Sequence, residues 1–349
     1  MTTIETLLSE ARRSWGDAVT LARIGKELQD RNRLAAAREV LSRAVELDPR
    51  SDPEAWEYLA FAHYRDSDAE GGLSALRRGV EATGADTVRS TLMNFTEDEA
   101  EAALLRAELE GSADPVARAS LWWKRLNEGE VETALAAIRA AVAAHPANRE
   151  LRGLFLWTLL SGKRMGKVAD LCAEGLPLCD RAVADEPDRS FSWVMKLMMH
   201  AAEKDHDGAI RTGLAALRRF PDEESIMQFV GRAFREKGDP DRAALWFARA
   251  IGAKPSFAGA RVDLGKLLET QGKLDLAEEI FREIPVANPH YAMGPVSLAL
   301  FLARRERWAE AETVFLEAWP RLLDWQRKSV KGNPDAAALL ARENVKKAI

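Results

Sequence analysis

The chain has 349 residues, of which 47% are apolar and 30% charged, and it carries a net charge of −5 with a pI near 5.8. This apolar content excludes long disordered stretches. The acidic balance argues against nucleic-acid binding, which usually shows a basic surplus on one face. Good helix formers (Ala, Leu, Arg and Glu) dominate, so the composition predicts helix almost everywhere.

The first residues, Met1 to Leu8, lack the basic and apolar regions of a secretory signal. The most apolar stretch, Leu154 to Leu160, is far shorter than the ~20 residues that span a bilayer. Cys172 and Cys179 are interpreted as small buried residues in a reducing compartment rather than as a disulfide or as ligands. We therefore expect a soluble, cytoplasmic protein that has no membrane partner.

Helix-period segments follow one another along the whole chain. A helix is predicted within residues 1–17, and a series of about nine helix pairs within 18–323. The predicted pairs begin, in chain order, at Ala18, Pro53, Thr87, Pro115, Asn148, Ser190, Glu224, Ala258 and Ala292. Residues 324–349 are predicted to form a C-terminal capping helix that starts near Pro334.

Two of these pairs depart from the common length. Residues 87–114 leave room only for a short, degenerate pair, in which Thr96 and Glu99 are predicted to form a capping box for the second helix. Residues 148–189 form a longer pair, with an insertion expected in the second helix around Gly175 to Cys179.

A spacing of 34 residues organises the later part of the chain. Four prolines recur at this interval: Pro187, Pro221, Pro255 and Pro289. Aligning the pairs on these prolines brings further residues into register: Gly231 with Gly265, Gly238 with Gly272, Ala243 with Ala277, and Phe247 with Phe281. Small residues at the first place let two helices approach closely, and the phenylalanines fill the space between pairs. The glycines at the second place end the first helix in the left-handed conformation.

These residues resemble the tetratricopeptide-repeat pattern, W-x₂-L-G-x₂-Y, A-x₃-F and a closing Pro. The resemblance implies an all-α fold, a right-handed superhelical α-solenoid of antiparallel helix pairs, and we expect a bacterial source. Trp122 takes the small-residue place of its pair and is predicted to lie in the core. The repeats fill nearly the whole chain, so no separate catalytic domain is expected.

Catalytic and metal-binding motifs are absent from the sequence, which has no phosphate loop, nucleophile elbow or zinc-protease helix. His200 and His206 are close in sequence but lack the i, i+4 spacing that would place two ligands on one face. We expect no enzyme activity, no cofactor and no metal site.

The resemblance implies that the first helix of each pair lines a concave groove. The groove residues predicted to bind a partner are Phe61, Tyr64, Trp123, Arg152, Leu156, Phe191, Val194, Met198, Gln228, Arg232, Arg235 and Lys266. The middle of this set is apolar and its later part is cationic. An apolar surface of this kind on a protein usually marks an interaction site. The alternative is that the apolar residues pack on one another.

The predicted function is that of a non-catalytic adaptor that binds a protein or peptide in the groove. Its partner would carry apolar residues followed by an acidic stretch or a C-terminal carboxylate, the natural ligand of Arg and Lys. The carboxylate-capturing pattern known in the family is not matched, because Ala22 stands in place of its Lys and Lys26 in place of its Asn. Two alternatives stay open: a structural subunit that forms homodimers through the apolar groove, and a partner that presents a peptide to a separate enzyme.

Overall fold

The computed structural model describes residues 3–170 and 173–349, and within these ranges it contains helices and no strands. The helices up to α11 are α1 (Ile4–Arg13), α2 (Ala18–Asp30), α3 (Leu34–Leu47), α4 (Pro53–Arg65), α5 (Ala69–Thr83), α6 (Asp86–Phe95), α7 (Glu99–Leu109), α8 (Pro115–Asn127), α9 (Val131–Ala144), α10 (Arg149–Arg164) and α11 (Gly175–Asp185). The later helices are α12 (Ser190–Ala202), α13 (His206–Leu217), α14 (Glu224–Glu236), α15 (Pro240–Ala253), α16 (Ala258–Thr270), α17 (Leu274–Ala287), α18 (Met293–Arg304), α19 (Trp308–Ala318), α20 (Asp324–Lys331), α21 (Ala337–Leu340) and α22 (Glu343–Ala348).

The chain divides into two compact units, and the boundary between Phe229 and Val230 falls inside α14. In the first unit α1 packs on α2, and the following helices pack as consecutive pairs from α2 with α3 to α12 with α13. Trp56 is a central core residue of this unit, only 1% exposed. Its indole N–H donates to the Pro49 carbonyl at 3.0 Å, so the buried ring keeps its one polar group satisfied.

In the second unit the predicted repeat contacts are present. A Cβ atom added at Gly265 would lie 2.8 Å from Cζ of Phe281, and one at Gly231 would lie 2.6 Å from Cε1 of Phe247. Both phenylalanines are fully buried. The prediction that a small residue permits close helix approach is confirmed at both places, because any side chain there would overlap the ring.

The predicted helix ends are also confirmed. Gly238 has φ +82° and Gly272 has φ +73°, the left-handed conformation expected where the first helix of a pair stops. Pro255 and Pro289 each lie two residues after the last residue of α15 and α17. A proline at this point cannot continue the helix.

The predicted capping box of α7 is wrong. The N-cap is Asp98, whose carboxylate accepts from the backbone N–H of Ala100 at 2.9 Å and of Glu101 at 3.1 Å. The carboxylate adjoins the helix start at Glu99, so it meets the first free N–H groups directly. The Thr96 hydroxyl instead hydrogen-bonds the side chain of Glu101.

The interpretation of residues 175–179 as an insertion within a helix is also wrong. Helix α11 begins at Gly175, and Pro177 therefore lies in its first turn, where a missing N–H leaves no helical hydrogen bond unmade. The extra length of this pair lies before α11, in the connection that follows Arg164. Cys179 is a buried free thiol, and burial raises its pKa to about 12. Cys172 lies outside the described residues.

The C-terminal region contains several short helices rather than the predicted single helix from Pro334. Residues Pro334–Ala336 form a 3-10 turn, and α21 and α22 follow it. The break between α21 and α22 falls at Arg342, whose backbone is extended (φ −66°, ψ 139°). The Arg342 side chain lies 2.5 Å from Glu312 of α19, and Asn344 donates to the same carboxylate at 2.8 Å. These bonds hold the chain against α19 instead of letting it continue as one helix.

Candidate partner-binding surface

Three aromatic rings form a partly exposed cluster on α4 and α6 in the first unit. Tyr64 stacks on Phe95 with ring centroids 4.4 Å apart and an interplanar angle of 19°, and Phe61 meets Phe95 edge-on at 5.7 Å. Phe61 and Phe95 are each 38% exposed, so part of each ring faces solvent. We call these three residues the aromatic cluster.

Phe61 and Tyr64 come from the predicted groove set, whereas Phe95 was missed. Phe95 is the last residue of α6, in the degenerate pair whose register the repeat pattern does not define. A Cβ added at Gly72 would lie 2.8 Å from the Tyr64 ring, so this glycine allows the ring to lie against α5. The cluster thus combines two repeat positions with one residue that only the packing of α6 brings to them.

A polar junction lies beside the aromatic cluster in the same unit. Arg65 Nη2 lies 3.1 Å from the carboxylates of both Glu223 and Glu224, and it donates to the side-chain oxygen of Asn32 at 2.9 Å. Asn32 in turn donates to Glu224 at 2.8 Å. The side chain of Glu223 is fully buried, and burial raises its pKa while the Arg65 charge opposes that shift. We call these four residues the Arg65 junction.

A second set of contacts joins α2 and α4 to residues beyond 148. The Arg149 guanidinium hydrogen-bonds the Tyr58 hydroxyl and lies 3.5 Å from Asp30, which is also 3.6 Å from Arg189. Burial raises the pKa of Asp30 against the charges of both arginines. Together with the Arg65 junction, these contacts hold residues 30–65 against residues 149–224 within the first unit.

The predicted apolar middle of the groove is largely packed. Leu156 is only 1% exposed and belongs to the core, so it does not line an open surface, and Arg152 pairs with Asp185 and Glu186 at 2.5 and 3.0 Å. Trp123, Phe191 and Met198 are half-buried and pack against the same core, and Val194 is half-buried as well. Gln228 is buried. For Leu156 and Arg152 the packing alternative therefore applies, because α10 lies between helices on both sides.

Trp122, predicted as a core residue, is only half-buried. The guanidinium of Arg125 lies 4.8 Å from the centre of its ring and covers it at the surface. A large ring at a place built for a small residue cannot enter the helix contact, so it stays at the edge.

The predicted cationic residues belong to the second unit or its boundary helix. Arg232 and Arg235 both reach the buried carboxylate of Asp263, at 2.6 and 3.3 Å. Lys266 is exposed. Asp263 offsets part of the positive charge, so the cationic character of this surface is weaker than the sequence suggested.

Glu57 on α4 has an unusual ionisation. Burial raises its pKa to about 7, although the Thr91 hydroxyl donates to it and opposes the shift, and the nearby carboxylates of Glu54 and Glu150 add to the rise. Burial and neighbouring negative charges both disfavour the ionised form of a carboxyl group.

Because the pKa of Glu57 is raised on folding, the folded chain binds more protons than the unfolded chain between pH 4.5 and 7. The contribution of Glu57 to the free energy of unfolding is therefore largest below pH 4.5 and is lost as pH rises through 7. We expect Glu57→Gln to remove this dependence. The test is to measure the melting temperatures of the wild type and the variant at pH 5.5 and 7.5. The melting temperature of the variant relative to that of the wild type should be higher at pH 7.5 than at pH 5.5. An equal gap at both pH values would contradict the shift.

Among the described residues, no group of His, Cys, Asp and Glu is arranged to hold a metal ion, and no helix has the length and apolarity to cross a membrane. His200 hydrogen-bonds Asp205 at 2.8 Å.

Residues 23–87 and 231–292 match the tetratricopeptide-repeat family model. Together with the paired helices and the close glycine contacts, these matches show tetratricopeptide repeats in both regions of the chain. The comparison with curated proteins finds no significant sequence match.

Solved structures with the same fold include two human IFIT1 dimers. The dimer with m7Gppp-AAAA has a TM-score of 0.50 and 16% identity over 95% of this chain and 85% of that chain. The dimer with PPP-AAAA has a TM-score of 0.50 and 17% identity over 100% and 88%. The Cut9-Hcn1 hetero-tetramer of the APC/C also has a TM-score of 0.50, at 15% identity over 95% of this chain and 64% of that chain. At these identities the likeness shows the fold alone, a tetratricopeptide-repeat solenoid.

Proposed function

We propose that this chain is a non-catalytic adaptor whose first unit binds a protein or peptide segment through the aromatic cluster of Phe61, Tyr64 and Phe95. Tetratricopeptide repeats and repeat-solenoid relatives support a protein-interaction scaffold in general. The observation that carries the specific proposal is that Phe61 and Phe95 are both partly exposed and lie in contact, with Tyr64 stacked on Phe95. Aromatic side chains of this kind dominate the energetics of protein interfaces.

The Arg65 junction supports the same surface. Arg65 lies on α4, the helix that carries Phe61 and Tyr64, and it pairs with Glu223 and Glu224. These ion pairs restrict the movement of α4 and therefore of the two aromatic side chains. A rigid apolar surface loses little entropy on binding. The partner segment should therefore present an apolar side chain to the aromatic cluster. We propose the half-buried Phe191, Val194 and Met198 as further apolar contacts for it.

On the second unit, Arg232, Arg235 and Lys266 are the proposed place for an acidic group, at a strength reduced by Asp263. The oligonucleotides bound in the IFIT1 structures are not proposed as ligands of this chain, because the likeness shows the fold alone and the net charge here is −5.

We expect Phe61→Ala and Phe95→Ala each to weaken binding of a partner, recovered from native lysate, by about 2 kcal/mol, the cost of truncating an interface hot spot. The measurement is calorimetric titration with the purified partner. Leu104→Ala is the matched control, since Leu104 is 62% exposed but lies outside the cluster on α7. It should bind as the wild type does.

If the two phenylalanine variants bind normally, the aromatic cluster is not the interface. Light scattering tests the self-assembly alternative: a homodimer that Phe61→Ala converts to a monomer would make the partner a second copy of the chain. An enzyme recovered as the partner, with its peptide substrate held on the cluster, would support the presenting role.

A further inference from the structure

Two helix pairs of the first unit, α4 with α5 and α12 with α13, share the same local construction. His63 hydrogen-bonds Asp68 at 2.7 Å, and His200 hydrogen-bonds Asp205 at 2.8 Å. In both pairs the Asp caps the second helix, and the residue before it has a positive φ, 63° and 59°. These shared features align the two helix pairs residue by residue, with His63 at the place of His200 and Asp68 at the place of Asp205.

In this register Trp193 corresponds to Trp56, and Ala215 corresponds to Arg78. The guanidinium of Arg78 lies 5.1 Å from the centre of the Trp56 ring, and Trp56 is only 1% exposed. Trp193 is half-buried. The short side chain of Ala215 cannot reach across the ring as an arginine does, so the corresponding place beside Trp193 lacks the cover that Arg78 supplies.

A cleft of about 470 Å³ lies at this place. It runs between α11 and α13 above α12, and Trp193, Leu176, Asp180, Lys196 and Ala215 are among the residues that line it. The indole N–H of Trp193 is already used, because it donates to the Pro187 carbonyl at 3.1 Å. The ring face is thus the part of Trp193 that is available to a ligand.

One carboxylate and two basic side chains line the cleft: Asp180, Lys196 and Arg211. Lys196 lies 2.6 Å from Asp180, whose side chain is 61% exposed and can accept a second partner. The pKa of Asp205 is lowered, first by the N–H of Gly208 and also by His200 and by the charge of Arg211, another cleft residue. The exposed carboxylate of Asp180 is therefore the group of the cleft at which a further cation would bind.

We propose that this cleft binds an arginine side chain from an exposed segment of a partner protein. Its guanidinium would stack on Trp193 as Arg78 stacks on Trp56, and would share the carboxylate of Asp180 with Lys196. A planar guanidinium suits both contacts better than an ammonium, because it stacks on aromatic rings and binds carboxylates through paired N–H groups. This surface is separate from the aromatic cluster, so the inference does not depend on the function proposed above.

The test follows the indole N–H signal of Trp193 by NMR during titration with N-acetyl-arginine amide, with Trp193→Phe to assign the signal. We expect a saturable shift, at ligand concentrations at least roughly threefold lower than for N-acetyl-lysine amide. The Trp56 signal should not shift, because Arg78 covers that ring. Arg78→Ala should make Trp56 respond as well.

Two variants probe the cleft itself. Ala215→Arg should abolish the Trp193 response, since it supplies the missing cover within the chain, and Asp180→Asn should weaken binding by roughly threefold, as for an exposed ion pair. Circular dichroism checks that each variant is folded. Equal affinity for the arginine and lysine ligands, a response to N-acetyl-glutamate amide in place of arginine, or no response of Trp193 to any ligand would each overturn the proposal.

Discussion

Gly265→Leu is expected to lower the free energy of unfolding of the second unit by roughly 1–3 kcal/mol or more, the usual range for an overpacked core contact. The space that a side chain would need is taken by Phe281, whose Cζ would lie 2.8 Å from the new Cβ. Phe281 cannot move aside easily, because it is fully buried and its ring packs on Phe301 at 5.3 Å. Chemical denaturation followed by circular dichroism measures the loss.

Gly252→Leu is the matched control for this prediction. Gly252 lies in α15 of the same unit, is exposed, and has no neighbouring atom within 4 Å of an added Cβ. Since glycine is a poorer helix former than leucine by about 1 kcal/mol, this variant should be as stable as the wild type or more so. Equal midpoints for both variants would mean that the close contact at Gly265 is absent.

Arg65→Ala is expected to destabilise the first unit by about 1–3 kcal/mol, because the buried carboxylates of Glu223 and Glu224 lose the partly exposed guanidinium that compensates their charge. The Glu223 side chain is fully buried and that of Glu224 is 3% exposed, and both lie 3.1 Å from the Arg65 guanidinium. Thermal and chemical unfolding would measure the effect.

Arg33→Ala provides the comparison. Arg33 is as exposed as Arg65, at 39%, but it pairs with Asp222, whose side chain is 60% exposed rather than buried. The loss of such a surface pair should cost less than about 1 kcal/mol. The double variant Arg65→Ala, Glu223→Gln should recover part of the stability, because it removes one of the two buried carboxylates that have lost the Arg65 guanidinium. An Arg65→Ala protein as stable as Arg33→Ala would show that the junction does not hold the unit together.

The repeat architecture could be predicted from sequence because its determinants are local. The prolines spaced by 34 residues, the left-handed Gly238 and Gly272, and the pairing of Gly265 with Phe281 all act within one repeat unit. Each follows from backbone geometry or from the volume of a side chain, and these properties can be read without knowing the rest of the fold. The local pattern was misleading at α7, where Thr96 and Asp98 are both capping residue types and the structure has Asp98 as the N-cap.

The candidate surface was predictable only in part. Phe61 and Tyr64 follow from the repeat register, but Phe95 joins them through the packing of α6 on α4, which the degenerate pair does not reveal. The burial of Leu156 likewise depends on neighbours from other helices.

The sequence by itself determined that this protein contains tetratricopeptide repeats, since the spacing of Gly, Pro and Phe acts over distances of one repeat. Only the tertiary structure decided which repeat surfaces stay open. The Arg65 junction joins Asn32 to Glu224, 192 positions away, and the Arg149 contacts join Tyr58 to Arg149, 91 positions away. No local pattern encodes such pairs, because their formation depends on the accumulated geometry of every helix pair between them.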